Sequence, residues 1–211
     1  MQQPLLSTNY LGPIQYFSHL FHSRGCIVEQ YCHYQKQTYR NRCIIDGANG
    51  TQLLIIPILK QFNKTYTRDI RISYDTPWQS LHWKCILSAY NSSPYFEYYM
   101  DDFAPFYHQK FDFLIDYNDL LTSLIGELLD IKLVINKTDA YAQVPEDKID
   151  LREVISPKNI EESIDKNYIS HRYRQVFEIK HGFRKNLSII DLLFNKGPET
   201  ILVLKNSYID L

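Results

Sequence analysis

The order of apolar and polar positions predicts strands in the first third of the chain. Residues 27–73 are rich in β-branched and aromatic side chains, which is typical of strands. Within them, Asp46-Gly47-Ala48-Asn49-Gly50 supplies the glycines and Asx residues of a tight reversal. The pattern therefore predicts a hairpin of 42–46 with 52–58, followed by another short strand at 67–73.

The middle of the chain has helical periodicity instead. Thr76-Pro77-Trp78-Gln79 has the residues of a capping box, with proline at the first helical position, and predicts a helix to about Tyr90. Ser93-Pro94 begins a second helix, which Pro105 limits. A third helix follows Asp116. Its apolar residues recur at helical spacing and indicate core packing: Leu120, Leu121, Leu124, Ile125, Leu128 and Leu129.

Toward the C-terminus the pattern predicts short strands at 132–135 and 173–179, then a buried helix at 188–195 closed by Gly197-Pro198. Residues 199–204 fit a helix or a strand. No repeat or Gly/Ser/Pro linker divides residues 1–211, so one domain is expected. The predicted fold class is α+β: N-terminal strands with a hairpin, a helical middle, and a short C-terminal strand–helix unit.

Composition excludes several classes of protein. The chain has 211 residues with 23 basic and 24 acidic side chains, a net charge of −1, which argues against a nucleic-acid or anionic-membrane binder. The longest apolar run, 53–59, is far shorter than the ~20 residues that span a bilayer. Met1-Gln2-Gln3-Pro4 does not begin a signal peptide, so the cytoplasm is expected if Met1 is the native start. Seventeen tyrosines reflect either coding bias or an aromatic-lined ligand cleft.

Standard catalytic and metal-binding motifs are absent. The four cysteines, at 26, 32, 43 and 85, form no Cys-x-x-Cys pair, so reduced thiols are expected. There is no Gly-x-Ser-x-Gly, Walker, Gly-x-Gly-x-x-Gly or His-Glu-x-x-His motif. The sequence therefore predicts neither a metal nor a cofactor.

One short segment is a candidate anion site. Lys36, Arg40 and Arg42 are three cations in a stretch without acids, and all three have even numbers. On an extended strand they would project to one face and suit a phosphate or a carboxylate. A solvated face paired with distant acids is the alternative. A second basic stretch, 171–185, would extend a cationic cleft if the fold brings the two together.

Asp191 is a carboxylate in an apolar helix. Burying it is costly unless it is paired or hydrogen-bonded. It either stabilises the start of the helix after Ser188, or serves as a catalytic residue paired with an arginine or histidine.

His82 is the other candidate catalytic residue. It falls in the middle of the apolar arc of the helix that starts near Pro77, one turn after Trp78. It is either a neutral core histidine or a general base on a pocket floor, with Trp78 as the wall on which a substrate stacks.

Several phrases together resemble the WbqC-like protein family in its Bacteroidetes form. They are Tyr10-Leu11-Gly12-Pro13-Ile14-Gln15-Tyr16-Phe17, Tyr34-Gln35-Lys36-Gln37-Thr38-Tyr39-Arg40-Asn41-Arg42, Trp78 with His82, Ser88-Ala89-Tyr90, Pro94-Tyr95-Phe96-Glu97-Tyr98-Tyr99, and Ser188-Ile189-Ile190-Asp191-Leu192-Leu193-Phe194-Asn195 with Gly197. They cover nearly the whole chain in the family's order. Many relatives have His-Gln-Pro where this chain has Ser7-Thr8-Asn9, so no role of that histidine transfers.

The resemblance implies a function in O-antigen or surface-polysaccharide biosynthesis. The expected protein is a cytoplasmic transferase-like enzyme acting on an activated sugar or its acyl or aminoacyl decoration. Its expected partner is a phosphorylated or carboxylated small molecule such as a sugar nucleotide, with no nucleic acid and no membrane insertion. The alternative is a non-catalytic binding or scaffold protein on the same fold.

Overall fold

A computed structural model describes residues 3–60, 64–143, 148–158 and 164–210. The strands are β1 (Gln3–Ser7), β2 (Cys26–Glu29), β3 (Arg42–Gly47), β4 (Gly50–Ile55), β5 (Ile135–Lys137) and β6 (Lys148–Asp150). The helices are α1 (Ile14–His22), α2 (Trp78–Tyr90), α3 (Phe96–Phe103), α4 (Leu114–Leu128), α5 (Glu178–His181), α6 (Ile189–Lys196) and α7 (Thr200–Asn206). Short 3-10 turns lie at Thr67–Asp69, Ala104–Tyr107 and Gly197–Glu199. The fold is α+β, as the sequence predicts.

A parallel sheet organises the molecule, with the strand order β5-β2-β1-β6. Leu5 and Leu6 are consecutive residues of β1, so their side chains point to opposite faces, and both are fully buried. Both faces of the sheet are therefore covered at β1, as is usual for parallel sheets. Helix α1 connects β1 to β2 and packs against α6 and α7.

The predicted hairpin is confirmed. β3 and β4 pair antiparallel from Arg42 with Ile55 to Gly47 with Gly50. Gly50 has a φ of +104°, which only glycine adopts easily, and this explains why the reversal needs it. The second strand ends at Ile55, earlier than predicted; Pro57, which has no backbone N–H to donate to a neighbouring strand, follows two residues later. The hairpin packs against α2 and α6.

The predicted helices are present, but the predicted capping box is not formed. The N-terminus of α2 has no side-chain cap, and Gln79 instead donates from Nε2 to the carbonyl of Phe106, at 2.9 Å. In α4 the apolar stripe is mostly core, although Leu120 is exposed. Residues 199–204 fall largely within helix α7.

Two strand predictions are wrong. Residues 173–179 form a loop that leads into α5. A strand needs backbone hydrogen bonds to a neighbouring strand, but here the backbone N–H and C=O of Arg184 bond to the side-chain amide of Gln175 instead. Residues 67–73 begin with a 3-10 turn and then make isolated bridges, at Arg71 with Phe113 and at Ile72 with Ile58. The strand predicted at 132–135 lies slightly later, at β5.

Some properties concern the whole described chain. The four cysteines are free thiols, as predicted. Within the described ranges, none of the helices combines the length and the hydropathy required to cross a membrane. The same residues include no group of three or more histidine, cysteine, aspartate or glutamate side chains arranged to hold a metal ion.

Candidate functional site

A cavity of about 650 Å³ lies at the carboxyl end of the parallel sheet. Its lining comes from the loop after β2, from Tyr66 and Tyr141, and from the end of β6: Tyr31, Cys32, His33, Tyr34, Gln35, Tyr66, Tyr141, Asp150, Arg152 and Glu153. We call it the sheet-end cavity. The chain runs from β1 outward to β2 and β5, and then returns to β6 on the other side of β1. Open parallel sheets bind ligands outside the carboxyl ends of their strands where the strand order reverses in this way.

Next to the cavity lies a network of buried charges centred on Glu29, the last residue of β2. Its carboxylate is completely buried. It accepts hydrogen bonds from the backbone N–H of Tyr31 (2.6 Å) and of Ala142 (2.7 Å), and from the Thr138 hydroxyl (3.0 Å). Arg152 lies 3.5 Å from Glu29 across the same network. A carboxylate with this many donors is fixed in position and needs no further partner.

Arg152 joins the network to the cavity. Its Nε and Nη2 donate to the two carboxylate oxygens of Asp150, at 2.9 and 2.8 Å, in a bidentate pair. These bonds to Asp150 raise the pKa of Arg152, against the effect of burial. Partial burial alone would raise the pKa of Asp150, but the bonds from Arg152 outweigh it and the pKa is lowered. Both groups are therefore charged at neutral pH.

Aromatic rings form the walls. Tyr31 and Tyr66 meet edge to face with centroids 5.9 Å apart, and the His33 ring stacks on Tyr66 at 5.4 Å. Tyr141 lies under the Arg152 guanidinium at 5.3 Å. Tyr66 and Tyr141 are both more than two-fifths exposed. Exposed rings beside carboxylates offer stacking surfaces together with hydrogen-bond acceptors, which is the usual lining of sites for ring-shaped polar ligands.

The strand predicted to align Lys36, Arg40 and Arg42 is wrong. Gln37 has a φ of +61°, a left-handed conformation that a strand excludes, and the hydroxyl of Thr38 closes a turn onto the carbonyl of Gln35. The three side chains therefore share no strand face. Lys36 is exposed, Arg40 is buried and Arg42 is half-buried.

Tertiary structure nevertheless places Arg40 and Arg42 near one lining residue, Tyr34. Burial raises the pKa of Tyr34 to about 12, while the charges of the two arginines act in the opposite direction. The Nη2 of Arg40 lies 3.3 Å from Glu153 Oε1 and 3.8 Å from Cys32 Sγ, two atoms of lining residues. The Nε atoms of both arginines are buried and have no hydrogen-bond partner in the described part of the chain. Anion binding by these arginines remains a prediction.

His82 lies in the core, in a chain of polar groups. Its Nδ1 is 3.0 Å from the Tyr10 hydroxyl, which is 3.1 Å from the Tyr107 hydroxyl. Burial lowers the pKa of His82 to about 4, against a hydrogen bond to the backbone of Ile55, so the ring is neutral at pH 7. It does not line the sheet-end cavity. These contacts match a core histidine, and its predicted catalytic role remains untested.

Trp78 packs beside His82 in the same layer. Its ring meets His82 at 5.1 Å and Tyr117 at 5.8 Å, both edge to face, and it is 3% exposed. The residue does not line the sheet-end cavity. The predicted stacking of a substrate on Trp78 has no support in these contacts.

Asp191 is buried in α6, but the predicted arginine or histidine partner is wrong. Its two carboxylate oxygens accept hydrogen bonds from the hydroxyls of Tyr173 (2.7 Å) and Tyr90 (2.9 Å). Burial raises the pKa of Asp191 to about 6, although the two hydroxyls lower it, and the nearby charge of Asp46 raises it further. Asp191 also lies in the first turn of its helix, the position that the alternative predicted.

The network of Glu29, Asp150 and Arg152 was not predicted from the sequence. Glu29 had a visible signal, because an acidic residue ends the apolar run Cys26-Ile27-Val28 and so lies at the end of a buried strand. The contribution of residues 150–153 had no comparable signal. Their segment is charged and only the pairing of β6 with β1 brings it to the site.

Comparisons with known proteins agree with the resemblance in sequence. The model of the WbqC-like protein family matches residues 8–158, a range that includes every residue lining the sheet-end cavity. The protein Rv1507c of Mycobacterium tuberculosis, described as uncharacterised, is 23% identical over 220 residues, covering 92% of this chain and 94% of the relative. No solved structure matches the chain significantly. Since the family model covers more than half of the chain, the chain belongs to the WbqC-like protein family.

Proposed function

We propose that this protein is a cytoplasmic transferase-like enzyme of surface-polysaccharide biosynthesis that binds an activated sugar, or its acyl or aminoacyl decoration, in the sheet-end cavity. The observation that carries the proposal is the position of this cavity at the carboxyl end of a parallel sheet, beside the reversal of strand order. The polysaccharide context comes from the resemblance to the WbqC-like family.

The lining supports a ligand that has a polar ring. Tyr31, Tyr66 and Tyr141 supply flat apolar surface, and Asp150 and Glu153 supply acceptors for hydroxyl groups. Carboxylates paired with fixed cations keep their orientation, so the site is organised before the ligand enters. A sugar or nucleoside ring fits this combination better than a purely apolar ligand.

Arg40 supports an anionic group on the same ligand. Its side chain is 1% exposed, yet its ion-pair partner Glu153 is 57% exposed, and the Arg40 Nε has no partner in the described structure. A buried guanidinium is stabilised when an anion satisfies its donors. Arg40 lies behind the lining residues Glu153 and Cys32, so its charge would attract a phosphate or carboxylate bound in the cavity, with Arg42 near Tyr34 and Lys36 on the adjoining exposed loop adding positive charge.

A non-catalytic binding protein is the second candidate. The observation in its favour is that the two residues predicted to be catalytic, His82 and Asp191, lie in the core and hydrogen-bond to tyrosines. On this alternative the cavity would hold the same class of ligand without turning it over.

Binding is tested by thermal unfolding of the protein with a panel of sugar nucleotides, acyl-coenzyme A and aminoacyl donors. A ligand at a hundredfold excess over its Kd adds about 2.7 kcal/mol, which raises the Tm of a chain of this size by about 5–10 °C. The variants Tyr66→Leu and Tyr141→Leu should reduce the shift. Tyr98→Leu, at a tyrosine that is 76% exposed on α3, is the matched control.

Turnover of the same donor separates the two candidates. Consumption of a stabilising donor in the presence of an acceptor, measured by mass spectrometry, supports the enzyme. Stabilisation without consumption supports the binding protein. If no member of the panel shifts the Tm, or if Tyr98→Leu reduces the shift as much as Tyr141→Leu, the assignment of the cavity is wrong.

A further inference from the structure

We propose that Glu29 is the positioning residue of the sheet-end cavity: its carboxylate holds two walls of the cavity in place, one bearing Tyr31 and the other bearing Tyr141. The inference rests on the proposed function and deepens it, because it names the side chain that shapes the binding site without touching the ligand. Glu29 is completely buried and does not line the cavity. Its effect on binding is therefore transmitted through the backbone of the two walls.

The two carboxylate oxygens of Glu29 hold different segments of the chain. Oε1 accepts the backbone N–H of Tyr31 at 2.6 Å, in the loop after β2, here called the Tyr31 wall. Oε2 accepts the backbone N–H of Ala142 at 2.7 Å, at the end of residues 138–142, here called the Tyr141 wall. The hydroxyl of Thr138, at the start of that wall, donates to Oε1 at 3.0 Å. One side chain therefore ties the loop beside it to a distant segment.

Every described partner of the Glu29 carboxylate is a donor, which explains why this position needs an acid. The fourth donor is Arg152 Nη1, 3.5 Å from Oε2. A carboxylate accepts at both oxygens, whereas glutamine offers one acceptor oxygen and one NH2 group. In Glu29→Gln that NH2 group would face either the Tyr31 N–H or the Ala142 N–H. In both orientations one wall loses its anchor and keeps a donor without an acceptor.

In the described structure the Tyr141 wall is exposed along its middle and is fixed at its two ends. Residues 139–141 are exposed. Apart from Glu29, the wall is held by Arg152, whose Nη1 donates to the carbonyl of Ala142 at 3.2 Å and whose guanidinium lies 5.3 Å from the centroid of the Tyr141 ring. Loss of the bond from Ala142 to Glu29 would therefore release one end of a segment that bears a lining ring.

The parallel sheet does not depend on the Glu29 side chain. β2 pairs with β5 through the backbone. Past the ends of these strands, the N–H of Thr138 donates to the carbonyl of Val28 at 3.2 Å, and Gln30 Nε2 donates to the carbonyl of Thr138 at 2.7 Å. These bonds remain when the Glu29 carboxylate is replaced. A variant at Glu29 should therefore keep its fold and show a local defect.

Hydrogen exchange of the ligand-free protein, resolved by residue with NMR, tests the positioning directly. In Glu29→Gln the amide of Tyr31 or of Ala142 should exchange about tenfold faster than in the wild type, whereas the amide of Leu6 in β1 keeps its rate. Glu29→Asp retains the charge beside Arg152 and is the second variant. Its carboxylate is one methylene shorter and cannot reach both walls, so it should also accelerate exchange at one of the two amides.

Asp165→Asn is the matched control. Asp165 is 2% exposed and, like Glu29, its carboxylate is held by several groups: Gln15 Nε2, His19 Nε2 and the backbone N–H of Asn167. It does not line the sheet-end cavity. Its replacement should leave the exchange of Tyr31 and Ala142 unchanged.

Calorimetric titration with UDP-glucose tests the consequence for the site. Glu29→Gln should weaken binding about tenfold although the residue does not touch the ligand. Tyr141→Leu should weaken binding in the wild type but much less in the Glu29→Gln background, because a wall that is already displaced has less to lose. In the Asp165→Asn background Tyr141→Leu should keep its full effect. A residue that only stabilises the fold would not produce this dependence.

Unchanged exchange at Tyr31 and Ala142 in both Glu29 variants would overturn the inference, and so would an equal acceleration at Leu6. The same weakening by Tyr141→Leu with and without Glu29→Gln would also overturn it. A wild-type protein that does not bind UDP-glucose, but in which the Glu29 variants accelerate exchange only at the walls, contradicts a sugar-nucleotide ligand under the proposed function and supports the positioning by Glu29.

Discussion

Replacing Asp191 with asparagine should remove a pH-dependent loss of stability. The Asp191 carboxyl is 1% exposed, accepts hydrogen bonds from two tyrosines and has no cation beside it among the described contacts. Burial raises its pKa from 3.8 to about 6. Asparagine resembles the protonated acid in shape and in pairing a donor group with an acceptor oxygen, and it carries no charge, so Asp191→Asn mimics the neutral carboxyl at every pH.

The sign and the size of the effect follow from linkage. Below pH 3.8 the carboxyl is protonated in the folded and the unfolded chain, and its titration contributes nothing. As the pH rises toward 6, the unfolded chain ionises freely while the folded chain retains the proton, so the free energy of unfolding falls. A shift of about two pKa units corresponds to about 3 kcal/mol, which is lost in full above pH 6.

Urea unfolding at a series of pH values between 3.5 and about 7.5 measures this quantity. The difference in unfolding free energy between Asp191→Asn and the wild type should increase with pH by about 3 kcal/mol in favour of the variant, because other carboxyl groups cancel in the comparison. Asp101→Asn, at an exposed aspartate of α3, is the control and should leave the pH profile unchanged. If Asp191→Asn parallels the wild type at every pH, then the carboxyl titrates normally and the argument from burial fails.

Three further substitutions test other contacts. His82→Gln should lower the free energy of unfolding by about 1–3 kcal/mol at pH 8 through loss of a buried hydrogen bond. The loss should be about 1 kcal/mol smaller at pH 5.5, because below pH 6.5 the unfolded wild-type chain binds a proton at His82 while the folded ring, with its pKa lowered to about 4, stays neutral; equal losses at the two pH values in urea titrations would contradict the lowered pKa. Gly197→Ala should lower the Tm more than Gly182→Ala. Both glycines have a positive φ, but only at position 197 would the added Cβ clash with a side chain, the ring of Tyr95; equal Tm shifts would contradict this. Asp165→Asn should cost about 1–3 kcal/mol at pH 7 and progressively less as the pH falls below 3.8, because the lowered pKa of Asp165 stabilises the fold above its unfolded value of 3.8 and that contribution declines in acid; a cost in unfolding curves that does not decline between pH 7 and pH 3 would contradict the linkage.

Local signals in the sequence were sufficient for the elements whose geometry depends on near neighbours. The hairpin of β3 and β4 follows from the run Asp46-Gly47-Ala48-Asn49-Gly50, because the tight reversal requires a positive φ that Gly50 adopts. The helix α4 follows from its apolar spacing. Strand β1 and helix α1 were not predicted as elements. A five-residue strand that contains proline, and a nine-residue helix rich in aromatic residues, have little intrinsic preference of their own.

The wrong strand at 36–42 shows the limit of pattern arguments. Even spacing of three cations is compatible with a strand, but a strand also needs a neighbour to accept its backbone bonds. Here the backbone carbonyl of Arg40 accepts a hydrogen bond from Asn118 Nδ2 and not from a neighbouring strand, and the chain turns at Gln37. Arg40 and Arg42 both lie near Tyr34, but tertiary packing places them there and the spacing of residues in the sequence does not predict it.

The sequence by itself determined the fold class, the hairpin, most of the helices and the family, because these depend on residues close together in the chain or on a whole run of motifs. Only the tertiary structure decided which polar groups converge. Asp150 meets Arg152 locally, but Glu29 joins them from 123 residues away, and Gln15 meets Asp165 across 150 residues. The contact of Glu29 with Arg152 exists because parallel pairing brings the ends of β2 and β6 to one edge of the sheet, and the contact of Gln15 with Asp165 exists because helix α1 packs against a distant loop; in both places burial requires the charge to find a partner.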